Sequence, residues 1–406
     1  MSKILEGIRV VELGSHIAVP KATRVLADWG AEVIKVEPPK GDIWRITGIE
    51  WDVPATPDNA PLFQTENANK KSIALNLKDP KGKEALLRLL ETADVFVTNT
   101  RPAALQRLGL DYETLKSRYP KLIYAHFTAY GLVGPDKDMP GFDVAAFWSN
   151  SGVLLEWLAG GKPFRPFPGG FGDSACSSVI LSGVLGALLN RNKTGKGDYL
   201  TASLYGTALW LDSNGVVMGQ PRYGRTYPLT EDKLPNALCM LYQTADGDWI
   251  STGSSRYEHF APKVFQMLGQ QEHADDPAYV TLNGSRKNLG QVIRAMQEGY
   301  HTMSTADVVA GLTEIGLVHA RVKSPAEVYQ DEQAWANGYL HKLTLENGDE
   351  LVLPTSPVQF ASQEPFPYKL SPQVGDHTET VLKELGYSET EIRDLEQSGA
   401  AVAHPC

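Results

Sequence analysis

Strand-length apolar runs and helix-length segments alternate from the first residues of this chain, and that alternation constrains its fold more than any other feature. Residues 8–13 form a short apolar run, 20–30 read as a helix opened by proline and closed by glycine, and 31–37 (AEVIKVE) form the next strand. The pattern returns with a helix over 80–92, a strand over 94–98 (DVFVT) and a segment, 120–128, that introduces another. Parallel strands need long crossovers, and a helix between strands supplies one, so the repeat implies a largely parallel sheet covered by helices. The first strand-to-helix turn carries only Gly14. A dinucleotide fingerprint needs several glycines there so that the backbone can approach a pyrophosphate, which argues against NAD.

Further along, residues 174–190 form a helix rich in Leu, Val, Ala and Gly that ends at the loop 193–197, and 199–209 continue as strand and then helix. The polar, Pro- and Gly-containing stretch 219–233 reads as a linker that closes a first part of a large domain, 1–218. A hairpin over 241–252 turns at Asp246-Gly247, and helical segments follow near 257–268, 288–298 and 305–315. Together they make a smaller α+β domain, 234–323. An acidic helix opening on a proline gives a second linker, 324–340. Residues 341–406 return to the large domain through a second hairpin, turning at Asn347-Gly348, and two short amphipathic helices within 375–399.

The length of 406 residues suits roughly two or three domains of about 150 residues each. A net charge of -10 and the lack of any long basic run argue against a nucleic-acid surface, so an anionic ligand would need local positive charge. Cys176, Cys239 and Cys406 are far apart and odd in number, which indicates neither a disulfide framework nor a metal cluster and suits a reducing cytoplasm. No stretch reaches about 18 uncharged apolar residues, and the start lacks the apolar core of a secretory signal, so no membrane association is expected.

The most informative spot for chemistry is Gly172-Asp173. A Pro- and Gly-rich loop, 166–172, meets a helix that begins with the small residues 174–178 and leaves one carboxylate open to an approaching thioester or acid. Aspartate is a favoured helix N-cap, where it accepts amide hydrogen bonds. A cap would keep the carboxylate ionised, as a carboxylate nucleophile requires, so the structural and chemical readings are compatible.

Several separate stretches then resemble one family, the class III CoA-transferases. They are LEGIRVVEL at 5–13, ADWGAEVIKVEPPKGD at 27–42, ENANKKSIALNLK at 66–78, Asn99, Ala129-Tyr130-Gly131, GPDKDMPGFD at 134–143, Gly172-Asp173, KTGKGD at 193–198 and GDHTETVLKELGYS at 375–388. Their order spans nearly the whole chain. Within the family, GPDKDMPGFD and DEQAWAN at 331–337 look most like the (R)-2-hydroxyacid CoA-transferases, which move CoA between an acyl- or enoyl-CoA and a 2-hydroxy acid.

The resemblance implies a large Rossmann-like domain built from both chain ends, a small inserted α+β domain, and two ring-shaped protomers interlocked as a homodimer. It implies that Asp173 is the nucleophile, passing through an aspartyl–acyl anhydride and an aspartyl-CoA thioester, with backbone amides of residues 15–18 receiving the developing oxyanion. For CoA and substrate binding it points to His16, Ile17, Lys71 (in the segment lining the adenine), Asn99 and Thr100 (pantetheine), Arg107 (pyrophosphate), Lys137 (near the loop that closes over the nucleotide) and Phe142 (acyl pocket). No metal and no tightly bound cofactor is implied; the CoA thioester is a substrate. Pro38 stands where some relatives carry an arginine beside adenine, and Lys40 is its candidate replacement. The glycine-run loop of some relatives is missing, with residues 252–255 its nearest candidate. The same fold also hosts 2-methylacyl-CoA racemases, but their histidine in the GxD motif is Phe142 here, and a phenyl ring cannot carry a proton. His126 reads instead as a packed, hydrogen-bonded core residue. A non-catalytic CoA-binding protein is the remaining alternative, against which the presence of Asp173 speaks.

Overall fold

The computed structural model describes residues 3–56, 59–157, 170–227, 230, 234–363 and 368–403. Its main sheet has six parallel strands: β1 (Arg9–Leu13), β2 (Glu32–Glu37), β3 (Lys71–Leu75), β4 (Val95–Thr98), β5 (Ile123–Thr128) and β6 (Tyr199–Ser203). They lie in the order 3-2-1-4-5-6, and the short strand Ala401–Val402 is added antiparallel to β3. Val10, Val11, Ile34, Phe96 and Val97 are fully buried, as a sheet covered on both faces requires. Because β1 lies between β2 and β4, the chain leaves the two central strands in opposite directions. The carboxyl ends of β1 and β4 therefore border a crevice, the usual ligand position in such sheets.

The helix Ala18–Asp28 follows β1, starting two residues before Pro20. Pro20 sits inside the first turn, where its missing N–H would have had no partner in any case. Asp79 caps the helix Pro80–Glu91 by accepting the Lys81 N–H at 2.8 Å, and Leu86, Leu89 and Leu90 of that helix are buried in the core. The 24-residue helix Phe171–Thr194 is long and apolar enough to cross a membrane by length and composition. Here it packs on Ala18–Asp28, β5 and β6. Asp173 and Arg191 bound its uncharged run, so the sequence shows no uncharged stretch of about 18 apolar residues there.

Charged residues also occupy the sheet. Glu12 of β1 and Lys35 of β2 are paired in register and fully buried. The Lys35 Nζ lies 2.7 Å from Glu12, 2.8 Å from Asp42 and 2.9 Å from the Gly14 carbonyl. Lys70 reaches the other Glu12 oxygen at 2.8 Å, and Lys35 and Lys70 together hold the Glu12 carboxyl down to about 2 against its burial. Asp42 also accepts the Trp44 N–H at 3.0 Å, and its own N–H donates to Glu37 at 2.8 Å. Glu37 in turn is held by Arg45 through two bonds, of 2.8 and 2.7 Å. This buried network ties β1 and β2 to the loops that leave their carboxyl ends.

The chain divides into two compact units. The first holds Met1–Val153, the stretch from the long helix to Val216, and Glu332–Cys406; the second holds Val217–Asp331 and a stretch beginning at Leu154. The hairpin Leu340–Thr344 with Glu350–Pro354 and the helices Thr378–Glu384 and Glu389–Gln397 belong to the first unit. In the second, Leu241–Gln243, Trp249–Gly253 and Val318–Arg321 form a three-stranded antiparallel sheet. Helices Tyr257–Met267, Leu289–Tyr300 and Thr305–Ile315 accompany it, and Tyr242 stacks on Tyr300 at 4.6 Å in its core. Residues 252–255 lie at the end of its middle strand.

Candidate active site

The site forms where the turn after β1 faces the start of the helix Phe171–Thr194. Gly170 begins that helix in the left-handed region, φ 62°, and no side chain caps it. A Cβ there would run into the Ile17 side chain and sit 3.2 Å from the Asp173 carboxylate, so only glycine fits. Asp173 is the third helical residue and not the cap, which corrects the sequence reading. The part of the preceding loop at 166–169 lies outside the described residues.

Gly172 serves a purpose the sequence did not disclose. A Cβ at residue 172 would collide with the Asp143 carboxylate and the Phe147 ring. The glycine lets the Gly172 N–H donate to Asp143 at 3.2 Å, so a second carboxyl lies buried beside the first. Glu66, also buried, adds a third. Gly172→Ala must therefore push Asp143 and Phe147 away from the helix start, at a cost of about 1–3 kcal/mol. A denaturation midpoint equal to wild type, with activity kept, would show that this close approach is dispensable.

These neighbours reverse the expected ionisation. Burial, followed by the charges of Asp143 and Glu66, pushes the Asp173 carboxyl up to about 7, and Lys21 only partly offsets them. Burial likewise raises Asp143 and Glu66. Burial thus biases all three carboxyls towards their protonated forms. Asp173 can give up its proton near neutral pH, and its carboxylate is then poorly solvated and reactive.

Asn99, at the end of β4, spans the crevice. Its side-chain amide accepts from the Ser15 N–H at 3.1 Å and donates to the Ser15 carbonyl at 2.9 Å. His16 adopts a left-handed conformation, φ 64°, with its N–H turned to Asp42 at 3.5 Å and its ring 6.3 Å from Trp44 and 5.5 Å from Phe142. The amides of Ser15 and His16 are therefore committed. Among residues 15–18, those of Ile17 and Ala18 are left, at a helix start with no side-chain cap. Thr100 accepts from His126 Nε2 through its carbonyl at 2.9 Å, and burial lowers the His126 pKa, as suits a core histidine. Phe142 is 65 % exposed and borders Asp143.

Arg107 lies elsewhere, in a cavity of about 580 Å³ at the carboxyl ends of β1, β2 and β3, lined also by Leu13, Pro38, Leu75, Lys78 and Lys83. Lys78, Lys83 and Arg107 form no ion pair among the described residues, which leaves three cations facing one space. The sequence reading singled out only Arg107. Lys40 does not line this cavity. Lys71 starts β3, at the opposite end of the strand from Leu75, and is ion-paired with Glu32 at 2.5 Å and Glu384 at 3.6 Å, so the structure does not bring it to the cavity. Strand direction, invisible in a local motif, separates them. Lys137 is exposed on the loop after β5 and pairs with no acid among the described residues.

The model of CoA-transferase family III matches residues 5–378 of the chain. The (R)-2-hydroxy-4-methylpentanoate CoA-transferase of Clostridioides difficile is 36 % identical over 395 residues, covering 97 % of this chain and 98 % of that protein. The cinnamoyl-CoA:phenyllactate CoA-transferase of Clostridium sporogenes is 36 % identical over 401 residues, covering 98 % and 97 %. Among solved structures, a CAIB/BAIF family protein from Brucella suis is similar with a TM-score of 0.81 at 27 % identity, covering 95 % of this chain and all of that one.

Proposed function

The chain belongs to CoA-transferase family III, and we propose that it moves CoA from an acyl- or enoyl-CoA to an (R)-2-hydroxy acid with Asp173 as the nucleophile. The observation that carries this reading is Asp173 at a helix start, its carboxyl pushed up by burial and by the buried carboxyls of Asp143 and Glu66. An Asp173 carboxylate oxygen attacks the thioester carbonyl, and CoA leaves as thiolate from the resulting mixed anhydride. The thiolate then attacks the aspartyl carbonyl, releasing the donor acid and leaving an Asp173–CoA thioester. The incoming carboxylate attacks this thioester to form a new anhydride, and the thiolate attacks the new acyl carbonyl, freeing Asp173. The overall exchange trades one CoA thioester and one carboxylate for another pair and so lies close to thermoneutral; each anhydride-forming step runs uphill and each thiolate attack back down, and the covalent route replaces one hard transfer with easier ones. The amides of Ile17 and Ala18, at a helix start with no side-chain cap, would receive developing oxyanions.

The nucleotide end of CoA suits the cavity with Lys78, Lys83 and Arg107, since unpaired cations at strand carboxyl ends complement phosphates on a chain of net charge -10. The pantetheine would then run past Thr100 and the Ser15–Asn99 pair towards residue 173. The route needs no metal and no tightly held cofactor. A homodimer, with interlocking protomers, accords with the apolar Leu189, Trp210 and Leu211 left exposed on the first unit, Trp210 by 76 %. Free Cys176 and Cys239 are consistent with a cytoplasmic enzyme.

Trapping tests the nucleophile. Incubation with an acyl-CoA followed by hydroxylamine or borohydride will modify Asp173, read by peptide mapping. An unmodified Asp173 during turnover, or solvent deuterium entering the α-position of the recovered thioester, would overturn the assignment.

A further inference from the structure

The acceptor presents a difficulty that the nucleophile alone does not resolve. A free acid enters as a carboxylate, and beside the Asp173–CoA thioester it attacks stand the buried carboxyls of Asp143 and Glu66. Whatever negative charge those two groups carry repels an incoming anion in a partly desolvated site, and a nearby cation offsets it. Two lysines act on these carboxyls. Lys70 is fully buried and committed to Glu12, the Pro20 carbonyl and Asn67 at 2.7–3.0 Å. Lys21 differs. It projects from the helix Ala18–Asp28 to Ser174, donating to the Ser174 Oγ at 2.9 Å, with Glu66 a longer 4.0 Å away. Its side chain is a third exposed. An ammonium has three donors, so at least one remains for an incoming anion.

We infer that Lys21 receives the carboxylate of the free 2-hydroxy acid beside Asp173, orienting it towards the aspartyl-CoA carbonyl. This rests on Asp173 being the nucleophile. Lys21 also lowers the Asp173 carboxyl, but its contact with a free carboxylate belongs to the second half of the reaction, when the free acid binds; the first half, between Asp173 and the acyl-CoA, brings in no free carboxylate. The neutral Ser174 hydroxyl is the nearer partner of the ammonium, at 2.9 Å, and Glu66 at 4.0 Å offsets its charge only in part, which leaves attraction for substrate.

The test separates the two halves. In Lys21→Met, the KM for a 2-hydroxy acid should rise about tenfold or more, as loss of a charge-assisted hydrogen bond worth about 1.4 kcal/mol requires, while the KM for the acyl-CoA changes less than about twofold. Lys21→Gln keeps a donor to Ser174 without the charge and should show the same defect, and Lys21→Arg should restore most of the affinity. Trapping of Asp173 by acyl-CoA alone should persist in every variant, which also demonstrates folding. An unchanged acid KM in the Gln variant, or equal increases for acid and thioester, overturns the inference. If trapping fails to mark Asp173 in the wild type, the reading of the nucleophile falls instead.

Discussion

Asp173→Asn should abolish CoA transfer, by about 10³-fold or more, while making the folded protein more stable at pH 8. Burial with Asp143 and Glu66 raises the folded-state carboxyl from its ordinary 3.8 to about 7. Between those values the folded state holds a proton that the unfolded state has lost, so stability falls as pH rises through this window. Above pH 7 the carboxylate is ionised in both states and the full cost is present. The neutral amide avoids it, a gain of order 1–2 kcal/mol once the part of Asp173 that water reaches is discounted. Wild-type reaction with acyl-CoA should correspondingly rise with pH and reach half its plateau near pH 7, because only the ionised form attacks. Melting curves and single-turnover rates at several pH values check both. A variant less stable than wild type at pH 8, or a rate flat from about pH 5.5 to 8.5, would contradict the account of the site.

Lys35→Met should be the most destabilising single change outside the apolar core, at about 3–5 kcal/mol. Lys35 is the shared partner of Glu12 and Asp42, and removing it leaves two buried carboxyls short of positive charge. It also releases the Gly14 carbonyl, so the turn carrying His16 should loosen and catalysis suffer with stability. Urea denaturation measures the loss. Adding Glu12→Gln should return part of it, since the two residues are coupled directly and their effects cannot add. A cost below about 1 kcal/mol for Lys35→Met would mean that water or rearrangement replaces the network.

Both turns on Asp-Gly and Asn-Gly fall between paired strands, and Thr305–Ile315 ends where its pattern ends, because local turn chemistry and helical periodicity suffice for such elements. The start of the long helix was misplaced for the opposite reason. Gly170 and Phe171 carry no capping signal, and the helix begins there because Ile17, Asp143 and Phe147 leave room only for glycines. His126 was legible as a core histidine from its place in an apolar strand. Glu12 and Lys35 were not legible as partners, since nothing in a single strand says which charge will face it across the sheet.

By itself, the sequence determined the alternating strands and helices, the single-glycine turn after β1 and the carboxylate at residue 173, because each depends on residues close together in the chain. The tertiary structure alone decided what surrounds that carboxylate: Asp143 at Gly172 from 29 positions away, Lys21 at Ser174 from 153 positions away, and Glu66 from a third element. It also decided that Lys71 lies at the end of β3 away from the cavity where Lys78 and Lys83 join Arg107. The physical reason is range. Backbone preference acts over a few residues, whereas charge and desolvation act over about 10 Å of space, wherever in the chain the interacting groups arise.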